Sequence, residues 1–224
     1  MENVPYRSLT GSLLYASLLA RPDVAYATHA VCRFNADPGR SHWNAAKRIL
    51  KYLISTRTHG IVYSGKTSAL PVTYSDSDWG DNKDNRRSQT GWTVSMAGGL
   101  VNWSSKAQKS VALSSCEAEY MAGAECCREI LWLKQLLQEM KVLDPQQVLV
   151  VNMDSTSAIA LAHNPISHQR TKHIDIKYHF IRDLVLADQI KLVYVPTADK
   201  IADLFTKAVS KLIFQRLVTY LVRA

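Results

Sequence analysis

Three acidic residues stand where packing alone would not put them. Along the stretch LPVTYSD, Val72, Tyr74 and Asp76 share one face of a predicted strand. Asp76 closes that otherwise apolar row at the strand's C-terminal end, where α/β sheets gather their ligands. Asp78 has the same parity and is its rival, and a plain acidic strand-end turn is the other reading. In the predicted helix from about Ser115 to Met140, Glu119 falls in the middle of the stripe made by Ala122, Cys126, Ile130, Leu133 and Leu137. Glu117 falls on the opposite face with Arg128, Gln135 and Glu139, and is expected to be solvated. A carboxylate on the sheet-facing side is costly unless it is paired or binds a metal. Asp154 follows the apolar run VLVVNM and precedes a helix, so it is either a ligand or an ordinary N-cap. Asp203 sits on the polar flank of a last helix whose apolar side is Ile201, Leu204, Phe205 and Ala208, and its spacing gives it no special support.

The elements that must position these residues fall into two groups. The first third reads as helices: Tyr6 to Leu19, a second opened by Pro22 and Asp23 and running to about Phe34, and a third capped by Ser41 and running to about Ser55. In the third, His42, Trp43, Ala46, Ile49, Leu50 and Leu53 share a side. From about residue 59 the pattern changes to strands, GIVYSG and LPVTYSDSDWG, then a polar turn and a hairpin turning at Gly98–Gly99. The long helix follows, then a buried-type strand QQVLVVNMD, a helix Ser155–His163, a helix from about Lys172 to Ala187, the strand QIKLVYV and a last helix from about Ala198. The order βββ–α–β–α–α–β–α is mixed α/β with one sheet, three strands antiparallel in sequence and the rest returned by helices.

Composition narrows the function. The chain has 224 residues, 47% of them hydrophobic and 21% charged, in the range of an ordinary globular protein. Its longest apolar runs fall far short of the ~20 residues that span a bilayer, and no signal segment opens it, so secretion is not expected. The cysteines Cys32, Cys116, Cys126 and Cys127 show no metal-finger spacing and read as reduced intracellular thiols. The net charge of +8 is uneven. Arg7, Arg21, Arg33, Arg40, Lys47, Arg48, Lys51, Arg57 and Lys66 face only Glu2, Asp23 and Asp37, whereas the remainder is nearly balanced. A basic first third suits contact with a polyanion, a face tuned for solubility being the alternative.

The stretches PYRSLTGSLLYASLLARPDVAYA, HWNAAKRILKYL, YSDSDWGDNKDNRRSQTGW, LSSCEAEYMA, RTKHIDIKYHFIRD and YVPTADKIADLFTKAV resemble, in order, the C-terminal reverse transcriptase/ribonuclease H region of copia-type retrotransposon Pol polyproteins. The resemblance implies a ribonuclease H-like mixed five-stranded sheet flanked by helices over 67–210, a thumb-like helical module of the reverse transcriptase over 1–66, and a helical tail over 211–224. It implies an Asp, Glu, Asp, Asp set, carried here by Asp76, Glu119, Asp154 and Asp203. These would hold two Mg²⁺ ions, with Mn²⁺ as a substitute, and cut the RNA strand of an RNA–DNA hybrid. Only Asp203 rests wholly on the resemblance.

Further expectations follow. Arg86, Arg87, Lys106 and Lys109, with Lys47 and Lys51 of the helical module, are the candidates for holding nucleic-acid phosphates. Asp78 and His173 are auxiliary candidates. His173 matters because the stretch VPTADK lacks the histidine that many cellular ribonucleases H carry there; a capping or core role is its alternative. The cluster His163, His168, His173 and His179 has no zinc-ligand spacing. Expected partners are the hybrid and the reverse transcriptase palm and fingers of the parent polyprotein, with no membrane. The expected location is intracellular, either cytoplasmic in a virus-like particle or nuclear. A catalytically inactive ribonuclease H-fold binding module is the alternative function. Integrases of the same superfamily place Glu last rather than second, and no Tyr-x-Asp-Asp motif is present for polymerisation.

Overall fold

The computed structural model describes residues 4–65, 70–163, 175–197 and 200–224, with the backbone alone for 175–179. Helices α1 (Tyr6–Leu19), α2 (Ala25–Cys32) and α3 (Arg40–Ser55) open the chain. Tyr6, Leu13, Val24, Val31, Ala46 and Ile49 form their common core. Pro22 and Asp23 begin a 3₁₀ turn rather than α2 itself. Asp23 accepts two hydrogen bonds from Arg21, at 3.0 and 2.8 Å, and one from Tyr52 at 2.7 Å. This buried network removes Arg21 from the basic surface. Ser41 is not the cap of α3. Gly39 holds that position, donating its N–H to His42 Nδ1 at 2.9 Å.

One five-stranded sheet follows, in the order β3-β2-β1-β4-β5. Strands β1 (Val72–Asp78), β2 (Gln89–Met96) and β3 (Gly99–Ala107) are antiparallel neighbours, while β4 (Leu149–Met153) and β5 (Ile190–Tyr194) join β1 in parallel. This is the ribonuclease H-like mixed sheet flanked by helices that the resemblance implies. The β2–β3 turn is Ala97–Gly98, one residue earlier than expected, and both residues have positive φ (50° and 81°), as a two-residue hairpin turn demands. GIVYSG is not a strand. Its backbone makes an isolated bridge from Gly60 to Arg223, and Tyr63 packs against Gly99 while donating its hydroxyl to Leu100 O at 2.6 Å.

On one face of the sheet lie α4 (Ser115–Glu139), α5 (Thr156–His163) and α6 (Asp175–Leu186). Tyr120, Cys126, Ile130 and Leu133 of α4 interlock there with Trp92, Val94, Val151, Met153 and Leu192. The other face is covered by a 3₁₀ helix, Ile201–Phe205, and by α7 (Lys211–Leu217) with the residues after it. Leu100, Leu204, Phe205, Leu217 and Leu221 pack there with Ala25 of α2. The expected last helix from Ala198 is therefore two separate elements. Val72, on the Asp76 side of β1, is 42% exposed and Tyr74 is half-buried, so that row is not the buried apolar row expected; Asp76 is buried, as are Thr73 and Ser75 of the other row. All four cysteines are free thiols. Among the described residues no helix is long and apolar enough to cross a membrane.

Gly91 of β2 lets the 3₁₀ helix settle on the sheet. A Cβ there would lie 2.7 Å from both Phe205 Cβ and Thr206 Cγ2, and 3.1 Å from Ala202 O. Gly91→Ala should therefore push that segment off β2, at a cost of about 1–3 kcal/mol. A urea unfolding midpoint unchanged from wild type would contradict the close seat.

Candidate active site

Parallel pairing of β1 with β4 brings the first two carboxylates together. The register runs Val72↔Val150, Thr73↔Val151 and Tyr74↔Asn152, and the same offset carried to the strand ends sets Asp76 opposite Asp154. Asp203 arrives from the 3₁₀ helix seated on Gly91, the residue paired with Asp76. Oxygens of Asp76, Asp154 and Asp203 lie within 4.8 Å of one another. Glu119, one turn into α4, reaches the end of β1 from the opposite face and accepts the Ser77 N–H at 3.2 Å.

The centre of this group is an ammonium. Lys200 is wholly buried, with Nζ 2.5 Å from Asp76 Oδ1, 2.5 Å from Asp154 Oδ1 and 3.8 Å from Glu119 Oε2. Thr206 donates its hydroxyl to Asp76 Oδ2, Thr197 donates to Asp154 Oδ2 at 2.9 Å, and Lys207 pairs with Asp203 Oδ2 at 3.0 Å. Glu119 Oε2 and Asp203 Oδ1 are buried without a hydrogen-bond partner among the described residues. Gln108 braces the same corner: its Nε2 lies 2.9 Å from Ala118 O, 3.0 Å from Thr90 Oγ1 and 3.3 Å from Ser77 Oγ. The donor set is all hard carboxylate oxygen, the kind Mg²⁺ takes, and the two orphaned oxygens fit a cation-binding role.

Electrostatics divides the four. Burial pushes Glu119 up to about 8, helped by repulsion from Asp76 and Asp154 and only partly offset by Lys200. Burial and the charge on Asp76 push Asp203 up to about 6 against the pull of Lys207. Burial also works against an ionised Asp76, but Lys200 and Lys207 outweigh it and hold the carboxyl below its ordinary value. Lys200 is held above the usual lysine value because its carboxylate partners outweigh burial.

Other expectations fare differently. Glu117 is buried, not solvated: Ser114 Oγ accepts its N–H at 3.1 Å, and its Oε2 accepts the Leu113 N–H at 2.9 Å, a reciprocal helix cap. Ser155, not Asp154, caps α5, accepting the Ala158 N–H at 3.2 Å. Asp203 is buried rather than on a polar flank, because the 3₁₀ geometry turns the whole of Ala202–Phe205 inward. Asp78 stands outside the group of three; burial and nearby Asp81 raise its carboxyl. Arg86 and Arg87 are exposed in the turn after β1, and Lys109 is exposed just past β3, at the rim that carries Asp76. Lys106 pairs with Glu125 at 2.9 Å. Lys47 lies over the Trp43 ring, 5.6 Å from its centroid, and Lys51 is exposed. His168 and His173 lie outside the described residues. Sequence reasoning passed over Lys200, Thr206, Lys207 and Gln108, and the only signal for the first three was their place in the motif that supplied Asp203.

The raised values set a sign. Between the ordinary carboxylate range and about 8 the folded chain binds more protons than the unfolded one, so the contribution of Glu119 is full at low pH and lost as pH rises toward 8. Glu119→Gln should gain on wild type by about 1–3 kcal/mol as pH rises from about 5 to about 8 in chelator-treated buffer. Denaturation curves that stay parallel across that range would contradict it.

Comparisons with known proteins place the chain. No protein-family model matches it. A Retrovirus-related Pol polyprotein from transposon TNT 1-94 of Nicotiana tabacum is 44% identical over 211 residues, 94% of this chain and 16% of that one. The Pol polyprotein from transposon RE2 of Arabidopsis thaliana is 40% identical over 211 residues, covering 94% of this chain and 14% of its own length. A protein named Secreted RxLR effector protein 161, from Plasmopara viticola, is 45% identical over 133 residues, 59% of this chain and 94% of that one. Among solved structures, an RNase H1 isolated from compost by a metagenomic approach covers 62% of this chain and 93% of its own, with a TM-score of 0.47 and 15% identity. The chain spans about one-sixth of the TNT 1-94 polyprotein. Over nearly its whole length, the chain belongs to the Pol polyproteins of copia-type retrotransposons, in their C-terminal reverse transcriptase/ribonuclease H region.

Proposed function

We propose that the chain hydrolyses the RNA strand of RNA–DNA hybrids as the ribonuclease H part of a retrotransposon Pol polyprotein. The observation that carries this reading is the convergence of Asp76, Glu119, Asp154 and Asp203, drawn from four separate elements, on one rim of the sheet. Two Mg²⁺ ions, or Mn²⁺ in their place, would supply activation of water and neutralisation of charge on the leaving oxygen. The four carboxylates would hold them. Thr206, Thr197 and the Ser77 N–H aim Asp76, Asp154 and Glu119 respectively. Gln108 is a positioning residue, joining the end of β1 to α4 beside Glu119.

Substrate choice needs no base reading. RNA is told from DNA by its 2′-hydroxyls and by minor-groove shape, so backbone contacts are enough. Arg86, Arg87 and Lys109 at the rim suit the phosphates nearest the carboxylates. Lys47 and Lys51 of the helical segment suit phosphates farther along the hybrid. Tyr15, Leu18 and Leu19 of α1 are exposed, an apolar ridge suited to the palm and fingers of the parent polyprotein. Such a role places the protein inside cells, in the cytoplasm or the nucleus.

A second reading is a nucleic-acid-binding module without catalysis. The buried ammonium of Lys200 favours it, because a lysine already neutralises the carboxylates that a cation would need. Incubation of the purified chain with a 5′-labelled hybrid and Mg²⁺ separates the two. The first reading expects cleavage that falls by about a hundredfold or more in Glu119→Gln and in Asp203→Asn. Equal turnover in wild type and either variant would reject it. Binding has its own test: Lys47→Gln and Lys51→Gln should each lower the slope of log affinity against log salt by about 0.7–0.9, if each lysine meets one phosphate. An unaltered slope would remove the helical segment from the interface.

A further inference from the structure

Lys200 is unusual in two respects beyond its burial. Its Nζ takes one oxygen of each strand-end carboxylate, Asp76 Oδ1 and Asp154 Oδ1, both at 2.5 Å. The remaining oxygen of each is taken by a threonine hydroxyl, Thr206 on Asp76 Oδ2 and Thr197 on Asp154 Oδ2. So the two carboxylates set opposite each other at the ends of β1 and β4 have no oxygen without a donor. Of the four carboxylates, it is the outer pair that has a buried oxygen with no hydrogen-bond partner among the described residues, Glu119 Oε2 and Asp203 Oδ1. A divalent cation held by the strand-end carboxylates would meet the ammonium already seated between them, 2.5 Å from each. Of the donors, the ammonium is the one that carries a competing positive charge, on a flexible four-carbon stem that lets it move away.

We propose that the Lys200 side chain is a built-in competitor of the divalent cation, holding the strand-end carboxylates closed until the cation displaces it. The inference rests on the metal-dependent reading given above and adds a regulatory residue to it. Lys200 keeps the sheet rim folded at low cation concentration by neutralising Asp76 and Asp154. Cation binding at the strand ends is correspondingly weakened, since the two short ion pairs of Lys200 must be given up when the cation takes Asp76 and Asp154. The threshold concentration at which the site fills is thus set by a residue that is not one of the ligands. Lys207 does not share this role: it pairs with the outer carboxylate, Asp203, through Oδ2, and leaves Oδ1 free.

The test uses the full chain and Mg²⁺ alone, with no nucleic acid. Calorimetric titration of wild type and Lys200→Gln at one pH should show tighter Mg²⁺ binding in the variant, by about tenfold or more, because the repelling charge is gone. Without Mg²⁺ the variant should melt below wild type, and Mg²⁺ should raise its melting temperature more than it raises that of wild type. A second measurement needs no variant. Reductive methylation of wild type, read at Lys200 by mass spectrometry, should be low without Mg²⁺ and should rise severalfold at saturating Mg²⁺. If Lys200→Gln does not fold, the labelling decides alone. Equal Mg²⁺ affinity in both proteins, or Lys200 labelling that Mg²⁺ leaves unchanged, overturns the competitor while leaving the metal-dependent reading in place. Absence of Mg²⁺ binding to either protein overturns both.

Discussion

Four acidic side chains drawn to one rim of a sheet repel one another, and burial sharpens the repulsion because little water is left to screen it. In this protein two lysines meet that load unequally. Lys200 lies within 2.5 Å of both strand-end carboxylates, and Lys207 reaches Asp203 at 3.0 Å. Asp76, on which Lys200 and Lys207 both pull, is held acidic, whereas the outer pair is pushed up, Glu119 to about 8 and Asp203 to about 6. The site is thus an asymmetric box: a strand-end pair saturated with donors, and an outer pair with oxygens to spare. Gly91, Gln108 and Thr206 belong to the same constraint, since each brings an element close enough for the charges to meet.

The sheet was legible because its pattern is simple. Alternation marked β1, the apolar run marked β4, and the long amphipathic stripe marked α4 and, within it, the odd position of Glu119. The first helix was readable to its ends, Tyr6 and Leu19. Less legible was anything set by side-chain chemistry rather than periodicity. GIVYSG has strand composition, but Tyr63 lies against Gly99, and the stretch forms one bridge instead of a ladder. Glu117 looked solvated because a helical wheel has no ends, and near an N-terminus a glutamate folds back on the orphan N–H groups.

The site divides the same way. Asp76, Glu119 and Asp154 could be singled out by position, each beside a plainer alternative, while Asp203 could not, because a 3₁₀ helix has a different face from the α-helix assumed for it. Lys200 was invisible for a more basic reason. Lysine is the residue least expected inside a protein, and only the meeting of distant carboxylates makes its burial affordable.

The apolar cluster beneath Phe205 is contributed by α2, β3, the 3₁₀ helix and the residues from Leu217 to Val222, and Trp103 adds a hydrogen bond from its Nε1 to Ser17 O at 2.9 Å. The helical opening segment is thus not an appendage that could be trimmed from the rest of the fold. A fragment cut to the sheet and its nearest helices would bare Leu100, Trp103 and Phe205 to water, and such a fragment would be prone to clump in solution. The seam between the helical opening segment and the sheet is interior.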